Sequence, residues 1–426
     1  EELSRPEAAA ALARAVELDP DNLDLVSFQV EQLIKEENWE EASKKVQQGL
    51  EANPACLSLL ELDCAISLFK TDMPAYEAKM QRVLDINPAD ADLFELLGDL
   101  SIPGRRLEDA IDFYSRALEK NPRQWTALAS RGINYLRLGK EELGIRDLEE
   151  AYLTDPYNLW TVNTLRLVDS FKRFQVFETP HFRIRLHQKE AAVLRPYVEE
   201  LLERSIASLE KRYRHKIEQI VTFEMFPDHE DFAVRTLGMP GLGALGATIG
   251  RIVAMDSPSA RPRGKFHWGS TLWHELAHVV TLSLSKNRIP RWFTEGLSMM
   301  EERLGGPGWG DPLSLIFIRF YREDKLLPVK NLNAGFIRPK SPDQITVSYL
   351  QAGLLCEMIR DNYGMDRIRD MLVAYGEGLT TEEVFQRHLG TTAEEIDRQL
   401  RQLLKEELDP YLDRLELPDP IPSTLE

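Results

Sequence analysis

Proline recurs every 34 residues through the first third of the chain. The prolines, each preceded by Asp or Asn, are Pro20, Pro54, Pro88, Pro122 and Pro156. Because the residue before proline avoids helical backbone angles, each Asx-Pro pair is expected to end a helix. Mostly small residues recur twelve and five positions before these prolines, where they would let two helices pack closely. The spacing therefore predicts stacked pairs of helices, one pair in each 34-residue unit.

A fixed period of 34 residues resembles the tetratricopeptide repeat, or TPR. The resemblance implies an all-α TPR solenoid over residues 1–170, with about four and a half repeats. Since only the second helix of the first repeat is present, we expect an array truncated at its N-terminus. TPR stacks form concave surfaces that bind peptides or proteins, so we expect a protein partner on that surface. A spacer without a ligand is the alternative.

A second motif, H-E-x-x-H from His274 to His278, lies in an apolar run over residues 271–284. On a helix, positions i and i+4 share one face, so the two imidazoles can meet one metal ion, for which zinc is the usual choice. Glu275 is offset from them and can reach a water on that ion. Glu295 follows His278 by 17 positions on a second predicted helix. It is the expected third ligand, and one coordination position is left for water, as a catalytic zinc site requires.

The segments HELAHVVTL (274–282) and RIPRWFTEGLSMMEE (288–302) resemble the gluzincin metallopeptidases, in particular the peptidase MA-like group of bacterial proteins. The resemblance implies an α+β zincin-like metallopeptidase domain over residues 177–407. It also implies one zinc ion bound by His274, His278 and Glu295, with Glu275 as general base. Many gluzincins carry Asp four residues after the ligand Glu, to orient the second His. Here that position is Met299, so the sequence leaves the outer partner of His278 unassigned.

The same resemblance implies two further parts of the site. Related zinc peptidases use a downstream Tyr to stabilise the oxyanion; the candidate is Tyr349, in an apolar-striped helix predicted over 348–363, with core packing as the alternative. The strand predicted at 249–256 would be the sheet edge along the cleft and would pair with an extended substrate. The residues involved would be Arg251, Ile252, Val253, Ala254 and Met255. An ordinary interior strand is the alternative.

Other segments are predicted from local pattern. Alternation of apolar and polar residues predicts a half-buried strand over 181–187, with His181 and His187 on its solvated face. A glycine-rich stretch, 238–246, is expected to let backbone pass close to the active site. Residues 257–268, with three basic side chains, would form either a cleft-rim loop favouring acidic substrate or a solvated connection. Residues 408–426 are expected to form a polar, proline-rich tail.

Composition limits the function classes. The net charge of −18 argues against a nucleic-acid binder, and no apolar run is long enough to cross a membrane. The three cysteines show no disulfide framework, so they do not indicate a compartment. Because the chain starts without Met, we expect any signal segment to lie outside it. An exported, periplasmic bacterial location is implied only by the family resemblance.

From the sequence we therefore expect a zinc-dependent peptidase that hydrolyses peptide bonds with a metal-activated water. The TPR array would bind a partner or the peptide or protein substrate. Two alternatives remain open: a TPR adaptor whose zinc domain is inactive or structural, and a metal hydrolase that acts on a bond other than a peptide.

Overall fold

The computed structural model describes residues 5–35, 38–337 and 339–412, with side chains described from residue 10 onward. The chain divides into two compact units, Glu1–Val168 and Asp169–Glu426. Of the predicted tail, residues 408–412 belong to the last helix and the remainder lies outside the described residues. Among the described helices, none combines the length and the apolar character needed to cross a membrane.

The first unit is built from successive antiparallel helix pairs around one apolar core. Its described helices are α1 (Arg5–Leu18), α2 (Leu23–Lys35), α3 (Trp39–Ala52), α4 (Leu57–Phe69), α5 (Met73–Ile86), α6 (Asp92–Ser101), α7 (Leu107–Lys120), α8 (Trp125–Arg137), α9 (Glu141–Thr154) and α10 (Leu159–Ser170). The last two residues of α10 belong to the second unit. Helices α3, α5, α7 and α9 begin 34 residues apart, so the period of the prolines is the period of the structure.

Each of these four helices ends at the Asx residue that precedes proline. Asn53, for example, is extended, with φ −140° and ψ 94°. Its side-chain oxygen accepts the amide two residues further on. The predicted ending follows because proline excludes helical angles from the residue before it, and the Asx side chain then caps the following turn.

Close contacts between helices explain the small residues of the repeat. A Cβ atom on Gly144 would lie 2.7 Å from the carbonyl oxygen of Gly132, and one on Gly98 would lie 2.5 Å from the Tyr114 ring. Both distances are too short for a real side chain, so α8 approaches α9, and α6 approaches α7, because these positions lack one. The predicted all-α solenoid is confirmed.

The second unit contains a five-stranded mixed sheet. Its strands are β1 (Phe174–Glu178), β2 (Phe182–His187), β3 (Val221–Phe226), β4 (Gly246–Ile249) and β5 (Ile252–Asp256). The spatial order is β1-β2-β3-β5-β4. Strands β2, β3 and β5 run parallel, whereas β1 and β4 pair antiparallel at the two ends of the sheet.

Ten helices complete the described part of this unit, which confirms the predicted α+β class. They are α11 (Ala191–Tyr213), α12 (His229–Leu237), α13 (Trp268–Leu284), α14 (Arg291–Gly305), α15 (Leu315–Arg322), α16 (Ala334–Ile337), α17 (Pro342–Tyr363), α18 (Met365–Gly376), α19 (Thr381–His388) and α20 (Ala393–Leu412). Helix α13 lies centrally, with apolar contacts to the sheet on one side and to α14 on the other.

The single strand predicted at 249–256 is wrong. Gly250, with φ +60°, and Arg251 form a two-residue turn between β4 and β5, a geometry that favours glycine. Strand β5 therefore has a neighbour on each side, β3 and β4, and all five of its residues are buried. The predicted substrate-binding edge was Arg251, Ile252, Val253, Ala254 and Met255. It is instead a turn followed by an interior strand, and the edge of the sheet here is β4.

Strand β2 is also buried more fully than its alternating sequence predicts. His187 is only 7% exposed and packs edge-on against Phe174, so its predicted solvated position is wrong. Arg185, on the opposite side of the pleat from the apolar residues, pairs with buried Glu224 at 2.5 Å. His181, which stays partly exposed, pairs with a neighbouring carboxylate. Neighbouring elements cover the second face of the sheet, which local alternation does not reveal.

Candidate metal centre

Helices α13 and α14 form a hairpin that carries the predicted ligands. His267 caps α13 by accepting the Ser270 amide at 3.0 Å. After α13 ends, Lys286 and Asn287 take left-handed angles, φ 51° and 59°, and Pro290 precedes the first residue of α14. The short connection brings the two helices into contact.

The structure brings His274, His278 and Glu295 together. Their ligand atoms all lie within 4.8 Å of one another, and the two imidazole ring centres are 4.9 Å apart. The Oε2 atom of Glu295 lies 3.4 Å from Nε2 of His274 and 3.2 Å from Nε2 of His278. Two imidazole nitrogens and one carboxylate oxygen are a donor set typical of catalytic zinc, so these residues fit a zinc ion.

Both imidazoles have a polar partner on their other nitrogen. Nδ1 of His274 lies 2.7 Å from Oε1 of Glu302, and Nδ1 of His278 lies 2.8 Å from the Thr294 hydroxyl. If each Nδ1 donates its proton to these oxygens, each Nε2 keeps a lone pair directed at the common centre. The position that Asp occupies in many gluzincins is Met299 here, and Thr294 supplies the partner of His278 instead.

Neither outer partner was predicted from the sequence, although a signal for one of them is present. Glu302 follows Glu295 by seven residues, two helical turns, and therefore shares its face of α14. The same reasoning that paired the histidines could have found it. Thr294, next to Glu295 in the chain, carries no comparable signal, because adjacent helical positions point in different directions.

Glu275 is buried and held against the edge strand. Its Oε2 accepts a hydrogen bond from the Thr248 hydroxyl at 2.7 Å. A Cβ atom on Gly246 would lie 2.9 Å from both Cγ and Oε1 of Glu275, so β4 comes this close only because that residue is glycine. The end of the glycine-rich stretch thus does bring backbone close to the predicted general base.

Tyr349 lies beside the three ligands. Its ring centre is 6.4 Å from that of His274, and its hydroxyl lies near the guanidinium of Arg291. Arg291 in turn places Nη2 3.2 Å from Oε1 of Glu295. Burial raises the pKa of the Tyr349 phenol, so this side chain keeps its proton at neutral pH and can donate it in a hydrogen bond.

The ligand side chains have opposed pKa shifts. Burial lowers the pKa of His278. Burial also disfavours charge on His274, but hydrogen bonds to Glu295 and Glu302 outweigh it and hold its pKa well above the usual range. For Glu295, burial would raise the pKa, yet the two imidazoles and Arg291 outweigh burial and keep the pKa well below the usual range. Without a metal, the cluster is therefore a carboxylate paired with a protonated His274.

The basic loop after β5 is held by internal contacts. Arg261 places Nε 2.6 Å from Oδ2 of buried Asp256, at the end of β5. The same guanidinium contacts His229, whose Nε2 lies 2.6 Å from the carbonyl oxygen of Leu242 in the glycine-rich stretch. One of the loop's three basic charges is therefore used to tie the loop to the sheet, while Arg263 and Lys265 are exposed.

Residues 262–406 match the family model described as Peptidase MA superfamily. The match includes α13, α14 and α17, and with them the three candidate ligands, Glu275 and Tyr349. A peptidase MA-like domain thus follows the TPR-like helices, as the sequence predicted.

Two solved structures are similar to the chain at low scores. "YrrB: a TPR protein with an unusual peptide-binding site" is 16% identical with a TM-score of 0.24, covering 38% of this chain and 84% of that chain. The "P58(IPK) TPR Domain" is 13% identical with a TM-score of 0.23, covering 95% of this chain and 85% of that chain. No curated protein sequence matches the chain.

Proposed function

We propose that this chain, which carries a Peptidase MA superfamily domain over residues 262–406, is a zinc-dependent peptidase. The observation that carries the proposal is the convergence of His274, His278 and Glu295, each supported by its own neighbours, beside the carboxylate of Glu275. A structural zinc site is usually closed by a fourth protein ligand. Among the described residues, the metal-ligating cluster contains three.

A bound zinc ion would lower the pKa of a water molecule and polarise the substrate carbonyl. The chain's own residues then have defined tasks. Glu275 accepts a proton from the attacking water on its carboxylate and delivers it to the leaving nitrogen. Thr248 holds Oε2 of Glu275 at 2.7 Å, and we assign the proton transfer to the other oxygen, Oε1. Tyr349 donates a hydrogen bond to the oxyanion that develops on the carbonyl.

Strand β4 is the surface along which we expect an extended substrate to lie. It ends the sheet order, and it reaches Glu275 through Thr248. A sheet edge can add a further strand through its backbone hydrogen bonds. The proposed pairing therefore uses Gly246–Ile249 rather than the interior strand β5.

The TPR unit would bind a protein partner or present the substrate. The support is the stack of helix pairs, whose inner helices line a concave surface in proteins of this architecture. Loss of proteolysis of a protein substrate, with retained cleavage of a short peptide, would be the expected effect of removing such binding.

Metal analysis and proteolysis measured on the same samples test the proposal. Wild-type protein should bind one zinc ion and cleave peptides from a mixed library, and 1,10-phenanthroline should stop the cleavage. His278→Ala should lose the metal, whereas Glu275→Gln should keep it and lose hydrolysis. A sample that binds zinc but cleaves no peptide would favour the adaptor alternative, and turnover by Glu275→Gln would overturn the role of that residue.

A further inference from the structure

The two carboxylate oxygens of Glu295 have different neighbours. Oε2 lies between the Nε2 atoms of His274 and His278, at 3.4 and 3.2 Å. Oε1 lies 3.2 Å from Nη2 of Arg291, one turn earlier on the same face of α14. A carboxylate with two free oxygens can bind a cation through either or both. Here one of them is already held by a guanidinium.

Arg291 also lies near the phenol of Tyr349, on α17. Guanidinium has only donors, so a hydrogen bond between the two groups is accepted by the phenol oxygen and leaves the phenol O–H for another acceptor. The Tyr349 ring is fixed from the side by Phe336, with ring centres 5.0 Å apart in an edge-on arrangement. One arginine therefore connects the side chain of a candidate ligand with that of the candidate oxyanion donor.

The burial of these groups differs in a way that suits a bridging role. The Glu295 side chain is 3% exposed, while that of Arg291 is 47% exposed. The guanidinium thus contacts the enclosed ligand with one side and faces solvent with another. The five N–H donors of a planar guanidinium allow Arg291 to face Glu295 and Tyr349 at once. A lysine ammonium cannot reproduce this geometry.

We propose that Arg291 is a positioning residue of the metal centre. It holds Oε1 of Glu295, so that Oε2 alone is presented between the two imidazoles, and it orients Tyr349 so that the phenol hydrogen points to the substrate side. This inference rests on the proposed function, because it assigns Arg291 a role in the same site.

Metal binding tests, without a substrate, whether Arg291 positions Glu295. In Arg291→Met the Kd for zinc should rise about tenfold, the lower end of what loss of an outer partner costs. The visible spectrum of the cobalt-loaded protein should weaken, because a second carboxylate oxygen raises the coordination number. Arg303→Met is the matched control: Arg303 also lies on α14 but pairs with Glu357 at 2.8 Å, and its loss should change neither measurement. An unchanged spectrum and Kd in Arg291→Met would overturn the positioning of Glu295.

A double-mutant cycle on kcat tests whether Arg291 orients Tyr349. Arg291→Met and Tyr349→Phe should each lower kcat about tenfold or more, and the double variant should be no slower than the slower single one, because both changes remove the same oriented hydrogen bond. Arg291→Lys keeps the charge without the fork, so it should recover part of the zinc affinity and little of kcat. Independent, additive losses would overturn the link to Tyr349. If wild-type protein binds zinc but cleaves nothing, the proposed function fails, while the cobalt spectra still decide how Arg291 acts on Glu295.

Discussion

At the scale of single residues, the candidate centre depends on the hydrogen-bond partners of its ligands. The partners of the two imidazoles are not equivalent, since Glu302 is a carboxylate and Thr294 a neutral hydroxyl. That difference is one reason why the pKa of His274 is raised while burial lowers the pKa of His278. The H-E-x-x-H spacing therefore provides two chemically distinct histidines.

Replacing Glu302 should weaken metal binding without removing a ligand. Glu302→Leu takes away the acceptor of the His274 Nδ1 proton, and the Kd for zinc should rise between about tenfold and a hundredfold. Competition with a chromophoric chelator measures this change. Glu302→Gln keeps an acceptor oxygen and should lose less affinity; equal losses in the two variants would contradict the role of the hydrogen bond.

Zinc binding should release a proton near neutral pH. Because the pKa of His274 is raised in the metal-free protein, this imidazole is still protonated there and must lose its proton to bind a metal. The apparent affinity should therefore increase as pH rises towards that pKa and fall in acid. Calorimetric titration in buffers of different ionisation enthalpy should report about one proton released per zinc; a binding enthalpy independent of the buffer would contradict it.

At the scale of elements, the position of β4 decides how close the sheet comes to α13. The strand predicted at 249–256 omits most of β4 and places the edge of the sheet on residues of the turn and of β5. The turn signal was present in Gly250, but which strand is last in a sheet depends on pairing partners far apart in the chain. Strand β5 lies between β3 and β4 because of contacts with Val221–Phe226 that local pattern does not encode.

A methyl group on the edge strand should disturb the general base. In Gly246→Ala the new Cβ would lie 2.9 Å from Glu275 and from Thr271, so either β4 or the carboxylate must shift. A displacement of about 1 Å can cost roughly a hundredfold in rate, while zinc content should stay unchanged because the ligands are elsewhere. Gly243→Ala, where a Cβ meets nothing within 4 Å, is the control and should keep full activity.

Helix α4 carries a buried acid whose ionisation should affect the first unit. Glu61 is 8% exposed, and burial, with Asp90 and Asp92 nearby, raises its pKa to about 8. The folded unit therefore binds a proton that the unfolded chain releases near its ordinary pKa of 4.5. The stability that this proton provides is complete below the unfolded pKa and is lost as pH rises through about 8.

Glu61→Gln should remove this pH dependence. The variant should unfold at the same temperature as wild type in acid and at a higher temperature at pH 8. At pH 8 its free energy of unfolding should exceed that of wild type by ~2 kcal/mol or more. Thermal unfolding of the full chain followed by circular dichroism across this pH range measures it. Glu51→Gln on α3, an exposed position, is the control and should follow wild type throughout.

At the scale of the whole molecule, the two units differ in composition as well as in fold. Residues 1–168 contain 32 acidic and 18 basic side chains, and residues 169–426 contain 38 and 34, so most of the net charge of −18 belongs to the first unit. Each unit has its own buried apolar cluster. The candidate ligands lie only in the second.

Zinc should therefore stabilise one unit selectively. A ligand present at about a hundred times its Kd adds ~2.7 kcal/mol to the state that binds it. Differential scanning calorimetry of the full chain should show two transitions, of which zinc raises only the one assigned to the second unit. Equal shifts of both transitions, or one merged transition with and without zinc, would contradict independent units.

Features that depend on short-range spacing follow from the amino-acid sequence alone. The Asx-Pro pairs end helices through a steric effect between adjacent residues, and the 3.6-residue turn puts His274 and His278 on one face, so both could be predicted from a few positions. Tertiary packing alone sets the order of the strands, the burial of His187 and the contact of Thr294 with His278. These depend on which distant segments pack together. No local pattern specifies which distant segments meet, because these three features are fixed by the combined packing of the second unit.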